Sequence, residues 1–182
     1  MNLCGIDEAG RGPIAGPLVM AGVILHRNIE GLRDSKVLSE KKREQLFEEI
    51  ITESTFHIAH FTALQIDEMG ISKCLSLGLQ EIMRAIQSED FLFDGNSTFG
   101  VSGLRTMVKA DAKVDEVSAA SILAKVTRDR EMVAFASYFP NYGFEGHKGY
   151  GTKAHVEAIR QYGYCEIHRR SFKLKALEPT LF

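Results

Sequence analysis

The residues of this chain that are best suited to chemistry lie near its start, in the run DEAGRGP. Asp7 and Glu8 follow a short apolar run and repel each other, so a hard divalent cation with oxygen ligands would neutralise the pair. Gly10 and Gly12 lack a Cβ and let the backbone approach a ligand closely. Arg11 between them presents a planar donor fork that suits phosphate. The combination points to phosphodiester chemistry, whereas an acid pair alone would more simply belong to an exposed turn.

Two further acids also follow short apolar runs. Asp94 comes after residues 91–93, and Asp111 comes after residues 104–108. Neighbouring strands lie about 5 Å apart, so acids at strand ends can converge. Four carboxylates around one point cannot all ionise unless cations are present, and two Mg²⁺ or Mn²⁺ ions would allow phosphodiester hydrolysis there. The alternative for Asp94 is an ordinary turn, because Gly and Asn follow it directly.

Hydrophobic patterning predicts the elements that must position these acids. The predicted strands are residues 1–6, 18–25, 55–62, 91–93 and 104–108. Helices are predicted after the N-cap Ser39, over 71–86, over 114–138, and from Thr152 to a stop at Gly163. A meander of strands followed by alternating strands and helices is typical of an α/β fold with a mixed sheet. We predict a catalytic core over 1–140 and, over 141–182, a loop, helix and basic tail that contact substrate.

Composition excludes several classes of protein. The 182 residues are 45% hydrophobic, which is ordinary for one globular domain. No apolar run reaches the roughly 18 residues of a membrane span, and the first residues lack the basic region of a signal peptide. Three widely spaced cysteines, Cys4, Cys74 and Cys165, argue against zinc and disulfide frameworks and favour the cytoplasm.

Charge is distributed unevenly along the chain. Residues 1–100 carry 9 basic and 15 acidic side chains, whereas residues 101–182 carry 13 and 9. This asymmetry fits a metal cluster beside a phosphate-binding face, although scattered solvated charges would produce it too. The candidate phosphate contacts on the long helix are Lys125 and Arg128, which are predicted to lie toward solvent or ligand. In the basic tail, Arg169 and Arg170 are predicted to form a patch that contacts the DNA backbone, and the alternative is a frayed basic tail.

Several motifs, in order along nearly the whole chain, resemble one known family. They are DEAGRGP (7–13), DSK (34–36), DGN (94–96), KAD (109–111), SAASILAKVTRD (118–129), HKGYGT (147–152) and HRRSF (168–172). On these residues the chain is similar to bacterial ribonuclease HII, of the type 2 ribonuclease H family. The resemblance implies an RNase H-like fold, with a mixed five-stranded sheet flanked by helices and a small helical C-terminal part.

The resemblance also assigns roles to single residues. It implies that Asp7, Glu8, Asp94 and Asp111 hold two divalent ions, with Asp7 bridging both, Asp111 on the nucleophile side and the other two on the leaving-group side. It implies that the backbone of Gly10, Arg11 and Gly12 reads the ribose 2′-hydroxyl. Tyr150 matches a tyrosine that packs on the sugar of the following deoxynucleotide, and Lys36 matches a lysine that contacts phosphate.

The implied activity is endonucleolytic hydrolysis of RNA in RNA–DNA hybrids, and at ribonucleotides embedded in duplex DNA. Cleavage on the 5′ side of the ribonucleotide would leave 5′-phosphate and 3′-hydroxyl ends, and the enzyme is expected to be a monomer. The chain departs from the family pattern at Val37, where many relatives have lysine, and at Ala110, where glycine is common. No additional N-terminal domain of the ribonuclease HIII type is expected. The alternatives are a resolvase-type nuclease and a hybrid-binding module without turnover.

Overall fold

The computed structural model describes residues 2–32 and 38–173. The strands are β1 (Leu3–Ala9), β2 (Leu18–Leu25), β3 (Ser54–Phe61), β4 (Asp90–Asp94) and β5 (Arg105–Met107). The helices are α1 (Glu40–Thr52), α2 (Ala63–Met69), α3 (Ile71–Ala85), α4 (Asp115–Tyr138), α5 (Phe144–His147) and α6 (Lys153–Tyr162), with a 3-10 turn at Ala110–Ala112. No helix in these two ranges is both long and apolar enough to cross a membrane.

The five strands form one mixed sheet in the order β3-β2-β1-β4-β5. The first three strands pair antiparallel, whereas β1–β4 and β4–β5 are parallel. This confirms the predicted α/β class and the five-stranded mixed sheet. The predicted end of the first strand at residue 6 is wrong, because β1 continues to Ala9 and pairs with β2 as far as Val19. Asp7 and Glu8 therefore lie within a strand rather than beyond its end.

Helices cover both faces of the sheet, as the continuous apolar run in β2 indicates. Alternate residues of β2 point to opposite faces. Leu18 and Met20 pack in the cluster that contains α3, whereas Val19, Ala21 and Val23 pack with α1 and α4. The sheet is thus buried between α3 on one side and the α1–α4 pair on the other.

Helix α4 lies against β1 at the position of Gly5. A Cβ on Gly5 would come within 2.3 Å of the carbonyl carbon of Glu116 and of the amide nitrogen of Val117. Only a residue without a side chain permits this approach. The close contact fixes the first turns of α4 beside the strand that carries Asp7.

Residues 141–173 pack on the core through a third apolar cluster. Tyr142, Phe144 and Ile159 meet Ile14, Ala15 and Met132 there.

Two short helices were not predicted from the sequence. Helix α5, within residues 141–173, is a single turn that the pattern of Gly and basic residues did not predict, and α2 was missed as well. The short α2 begins with a capping box between Thr62 and Gln65, which was its sequence signal. The predicted helix from Thr152 to Gly163 is confirmed as α6.

Candidate active site

Three aspartates from three separate segments converge near the ends of the central strands β1 and β4, and Glu8 follows the first of them along β1. Asp7 lies in β1, and Asp94 is the last residue of the parallel neighbour β4, whose Phe93 is opposite Ile6. Asp111 lies in the 3-10 turn that follows β5. One carboxylate oxygen from each of these three aspartates lies within 4.8 Å of the other two. The convergence predicted for four acids is present for these three aspartates, whereas Glu8 lies outside this 4.8 Å group. Asp111 comes from a turn rather than from a strand end.

Backbone amides fix the orientation of two of these carboxylates. Asp94 accepts hydrogen bonds from the N–H groups of Lys109 at 3.0 Å and Asp111 at 3.1 Å. Asp7 Oδ1 accepts from the N–H of Glu8 at 2.8 Å, and the Ser121 hydroxyl also hydrogen-bonds to Asp7. Because strands and turns hold these donors, the carboxylates are pre-oriented toward a shared centre.

Burial and mutual repulsion disfavour the ionised forms of these acids. Burial raises the pKa of Asp7 well above its ordinary range, and the neighbouring Glu8 charge raises it further. Burial raises the pKa of Glu8 from 4.5 to about 7, against the opposing effect of Arg11. Burial is also the main cause of the raised pKa of Asp94, and the Asp111 side chain raises this pKa further, against the opposing effect of the hydrogen bond from the Asp111 backbone N–H. The protein alone does not neutralise this cluster, so added positive charge would stabilise it.

The donor set fits hard divalent cations. All four side chains offer carboxylate oxygens, which Mg²⁺ and Mn²⁺ prefer. Glu8 Oε2 is buried and has no hydrogen-bond partner among the described residues, although an unsatisfied buried oxygen is costly. Its other oxygen lies 3.8 Å from the Arg11 guanidinium. The orphaned oxygen beside three converging aspartates is the feature that an ion in this site would explain.

The loop after β1 is shaped by its two glycines for different reasons. Gly10 has φ +94°, and a Cβ there would lie 2.2 Å from Arg128 Nε and 2.4 Å from the Pro17 oxygen. A Cβ on Gly12 would meet no atom within 4 Å. Packing therefore requires Gly10, whereas Gly12 keeps an open approach to the backbone. Arg11 is half exposed and its guanidinium lies 5.3 Å from the centroid of the Phe99 ring.

A cleft of about 380 Å³ adjoins this loop. Its lining includes Glu8, the backbone at Gly10 and Gly12, Lys125 and Tyr150. Tyr150 is 47% exposed, so it is a surface aromatic and not a core residue. Lys125 forms an ion pair with Asp129 at 2.9 Å.

Two of the predicted phosphate contacts are buried instead. Arg128 and Arg169 are each only 1% exposed. The prediction that Arg128 lies toward solvent or ligand is therefore wrong, and so is the prediction that Arg169 belongs to a patch that contacts the DNA backbone. The three nitrogens of the Arg128 guanidinium donate to backbone carbonyls, and so do those of Arg169. Helical periodicity and the clustering of basic residues at 168–173 gave no sign of this, because the acceptors are carbonyls that no side-chain pattern reveals.

Arg170 is exposed, as predicted, and its backbone N–H donates to Asp67 at 2.8 Å. Asp67 accepts from the Ser171 N–H as well, so the HRRSF segment is tied to α2 rather than frayed. Lys36 lies outside the residues that the structure describes.

Ser121 is a residue beside Asp7 that the sequence analysis did not single out. It lies on α4, lines the cleft and hydrogen-bonds to Asp7. Ser118 and Ser121 both interrupt the apolar part of α4, so the sequence alone does not single out Ser121.

Comparisons with known proteins show which proteins this chain is similar to. A family model described as Ribonuclease HII matches residues 4–175. A curated Ribonuclease HII from Sulfurovum sp. (strain NBC37-1) is 64% identical over 181 residues, covering 99% of this chain and 96% of that protein. The structure is similar to that of RNase HII in a PCNA complex from Archaeoglobus fulgidus, with TM-score 0.84, 29% identity and 96% coverage of both chains. Ribonuclease H2 from Pyrococcus horikoshii OT3 is similar with TM-score 0.77 and 32% identity, covering 95% of this chain and 94% of that chain.

Proposed function

The chain belongs to the ribonuclease HII family and is an endoribonuclease acting on RNA–DNA hybrids, and we propose that it also cuts at ribonucleotides embedded in duplex DNA. Cleavage on the 5′ side of the ribonucleotide would leave 5′-phosphate and 3′-hydroxyl ends. The observation that carries the proposal is the convergence of Asp7, Asp94 and Asp111 within 4.8 Å, next to the orphaned oxygen of Glu8.

The enzyme is metal-dependent, and we propose two Mg²⁺ or Mn²⁺ ions held by Asp7, Glu8, Asp94 and Asp111. Such ions lower the pKa of a water nucleophile, orient the phosphate and stabilise the leaving oxygen. The chain's own part is to pre-orient the ligands. Ser121 and the amide of Glu8 hold Asp7, and two backbone N–H groups hold Asp94.

Recognition of the ribose is proposed for the loop and the tyrosine that flank the cleft. The open approach at Gly12 supports contact between the backbone of residues 10–12 and the 2′-hydroxyl. The exposed ring of Tyr150, in the same cleft, is placed to pack on the next sugar. A ring in contact with that sugar favours a deoxynucleotide, because a 2′-oxygen would intrude. Lys125 and Arg170, both near solvent, are proposed contacts to phosphate.

The test is a cleavage assay on duplex DNA with one ribonucleotide, with and without Mg²⁺ or Mn²⁺, mapping the cut and its ends. We expect a single metal-dependent cut on the 5′ side. Binding without cleavage would instead support a hybrid-binding module, and cleavage of an all-DNA four-way junction would support a resolvase-type nuclease.

A matched pair of variants on β4 tests the metal assignment. Asp94→Asn should abolish turnover, because a proposed ligand loses its charge. Asp90→Asn makes the same change at the other end of the strand, where the side chain pairs with Arg105, and should leave turnover near normal. Asp7→Asn should be at least as severe as Asp94→Asn. Near-normal turnover of Asp7→Asn would refute the assignment.

We also propose that the protein is monomeric and works in the cytoplasm. The thiols of Cys4, Cys74 and Cys165 are free, which fits a reducing compartment. Light scattering after size exclusion would give the mass, and a value near 20.3 kDa is expected for a monomer.

A further inference from the structure

The two buried arginines hold the parts of the chain that flank the cleft. We call residues 10–17 the glycine loop and residues 147–151 the tyrosine loop. Arg169 donates to Gly10 O at 2.6 Å, Gly16 O at 2.9 Å and Pro17 O at 2.9 Å, with a longer contact to Arg11 O. All of these acceptors belong to the glycine loop, so Arg169 holds that loop alone.

Arg128 connects the two loops. Its Nε donates to Pro17 O at 2.8 Å and its Nη2 to Ala15 O at 3.0 Å, both in the glycine loop. Its Nη1 donates to Lys148 O at 2.9 Å, in the tyrosine loop. The guanidinium also lies 5.9 Å from the centroid of the Tyr150 ring. One rigid planar group therefore sets the separation of the two loops.

Backbone contacts reinforce the same junction. The N–H groups of Ile14 and Ala15 donate to Gly149 O at 2.9 and 3.3 Å. Gly149 has φ +86°, and a Cβ there would lie 2.3 Å from Ala15 O. The loops are in direct contact, so a change in either position would be transmitted to the other.

Burial of two positively charged guanidiniums side by side costs free energy. This cost indicates that the two arginines have a role beyond filling space in the core. Burial lowers the pKa of both guanidiniums, and the Arg128 charge lowers that of Arg169 further. Arginine suits this place because its fork satisfies several carbonyls at fixed angles, which a lysine ammonium cannot do.

We infer that Arg128 is a positioning residue that sets the distance between the 2′-hydroxyl-reading backbone and Tyr150, and thereby the preference for a ribonucleotide followed by DNA. The inference rests on the proposed roles of the glycine loop and Tyr150. On a uniform RNA–DNA hybrid the next sugar carries a 2′-oxygen, so Tyr150 contributes little there. Loss of Arg128 should therefore affect the junction substrate more than the hybrid, whereas loss of Arg169 should affect both alike.

The experiment compares Arg128→Lys with Arg169→Lys, two equally buried positions. The readout is the ratio of kcat/KM on duplex DNA with one ribonucleotide to kcat/KM on a uniform hybrid. We expect Arg128→Lys to lower this ratio about tenfold and Arg169→Lys to change it by less than about twofold while slowing both reactions, since small misplacements cost large factors in rate. A merely structural role would lower both rates equally in both variants.

Tyr150→Ala separates the possible failures. If it leaves the ratio unchanged, the proposed role of Tyr150 is wrong. If it lowers the ratio and Arg128→Lys does not, or if Arg169→Lys lowers it as much, the inference about Arg128 is wrong and the proposed function stands. Adding Arg128→Lys to Tyr150→Ala should lower the ratio no further, because both changes remove one interaction.

A second variant covers the case in which Arg128→Lys does not fold, which circular dichroism would show. Gly149→Ala forces the two loops apart without changing either arginine. It should lower the same ratio, and an unchanged ratio in the folded variant would overturn the inference.

Discussion

Replacing Glu8 by Gln should stabilise the metal-free protein while removing activity. The Glu8 side chain is only 12% exposed, and one of its oxygens has no partner among the described residues. Burial raises its pKa from 4.5 to about 7, with repulsion from Asp94 as a further cause. A neutral amide of the same shape removes the charge that the site disfavours.

The magnitude follows from linkage between proton binding and folding. One pKa unit corresponds to about 1.4 kcal/mol, so a pKa of about 7 in place of 4.5 is worth about 3 kcal/mol. The folded protein binds the Glu8 proton more tightly than the unfolded chain does. The stability that this proton contributes is therefore fully present below pH 4.5 and is lost as the pH rises to about 7. Wild-type protein therefore carries the full penalty at pH 8, and Glu8→Gln escapes it.

Urea unfolding in EDTA at pH 8 and near pH 5 measures the effect. Glu8→Gln should raise the free energy of unfolding by up to about 3 kcal/mol at pH 8 and by less than about 1 kcal/mol near pH 5. Glu68→Gln, at an exposed site on α2, is the control and should change little at either pH. Added Mg²⁺ should stabilise wild type at pH 8 far more than Glu8→Gln.

Two results would refute this reasoning. One is a Glu8→Gln protein no more stable than wild type at pH 8, and the other is a gain in stability that does not depend on pH. Either would mean that Glu8 does not experience the burial and repulsion that the cluster of acids implies.

Three further measurements test other parts of the molecule. Gly5→Ala should destabilise the protein by about 1–3 kcal/mol or prevent folding, because its Cβ would overlap the backbone at Glu116, and unchanged urea unfolding would contradict the packing of α4 on β1. His155 and His168 hydrogen-bond to each other at 3.0 Å, and burial lowers the pKa of each from 6.5 to about 4, so they should add stability above pH 6.5 that is lost toward pH 4. The titration of their NMR signals checks this, and midpoints near 6.5 would contradict it. Raising the salt concentration from about 50 to 200 mM should weaken substrate binding by orders of magnitude if several phosphates are contacted, and a flat response would argue against a basic binding face.

Local sequence determined the elements that lie next to the chemistry. The apolar run of β2 predicted a strand buried on both faces. The acids after short apolar runs predicted that four carboxylates converge, and the structure brings three of them, Asp7, Asp94 and Asp111, within 4.8 Å of one another. These predictions rest on the spacing of apolar residues and on which residues are neighbours along the chain, and both can be seen in the sequence. The mixed five-stranded sheet was also predicted, although its strand order was not.

Tertiary structure alone decided which groups the basic and hydroxyl side chains near the site contact. Arg128 and Arg169 were predicted to contact phosphate, but both donate to backbone carbonyls more than 100 residues away. Nothing in a sequence distinguishes such a buried arginine from a solvated one. The hydrogen bond from Ser121 to Asp7 likewise depends on the packing of α4 against β1. Backbone carbonyls carry no residue-specific signal, so contacts to them become visible only once the chain has folded.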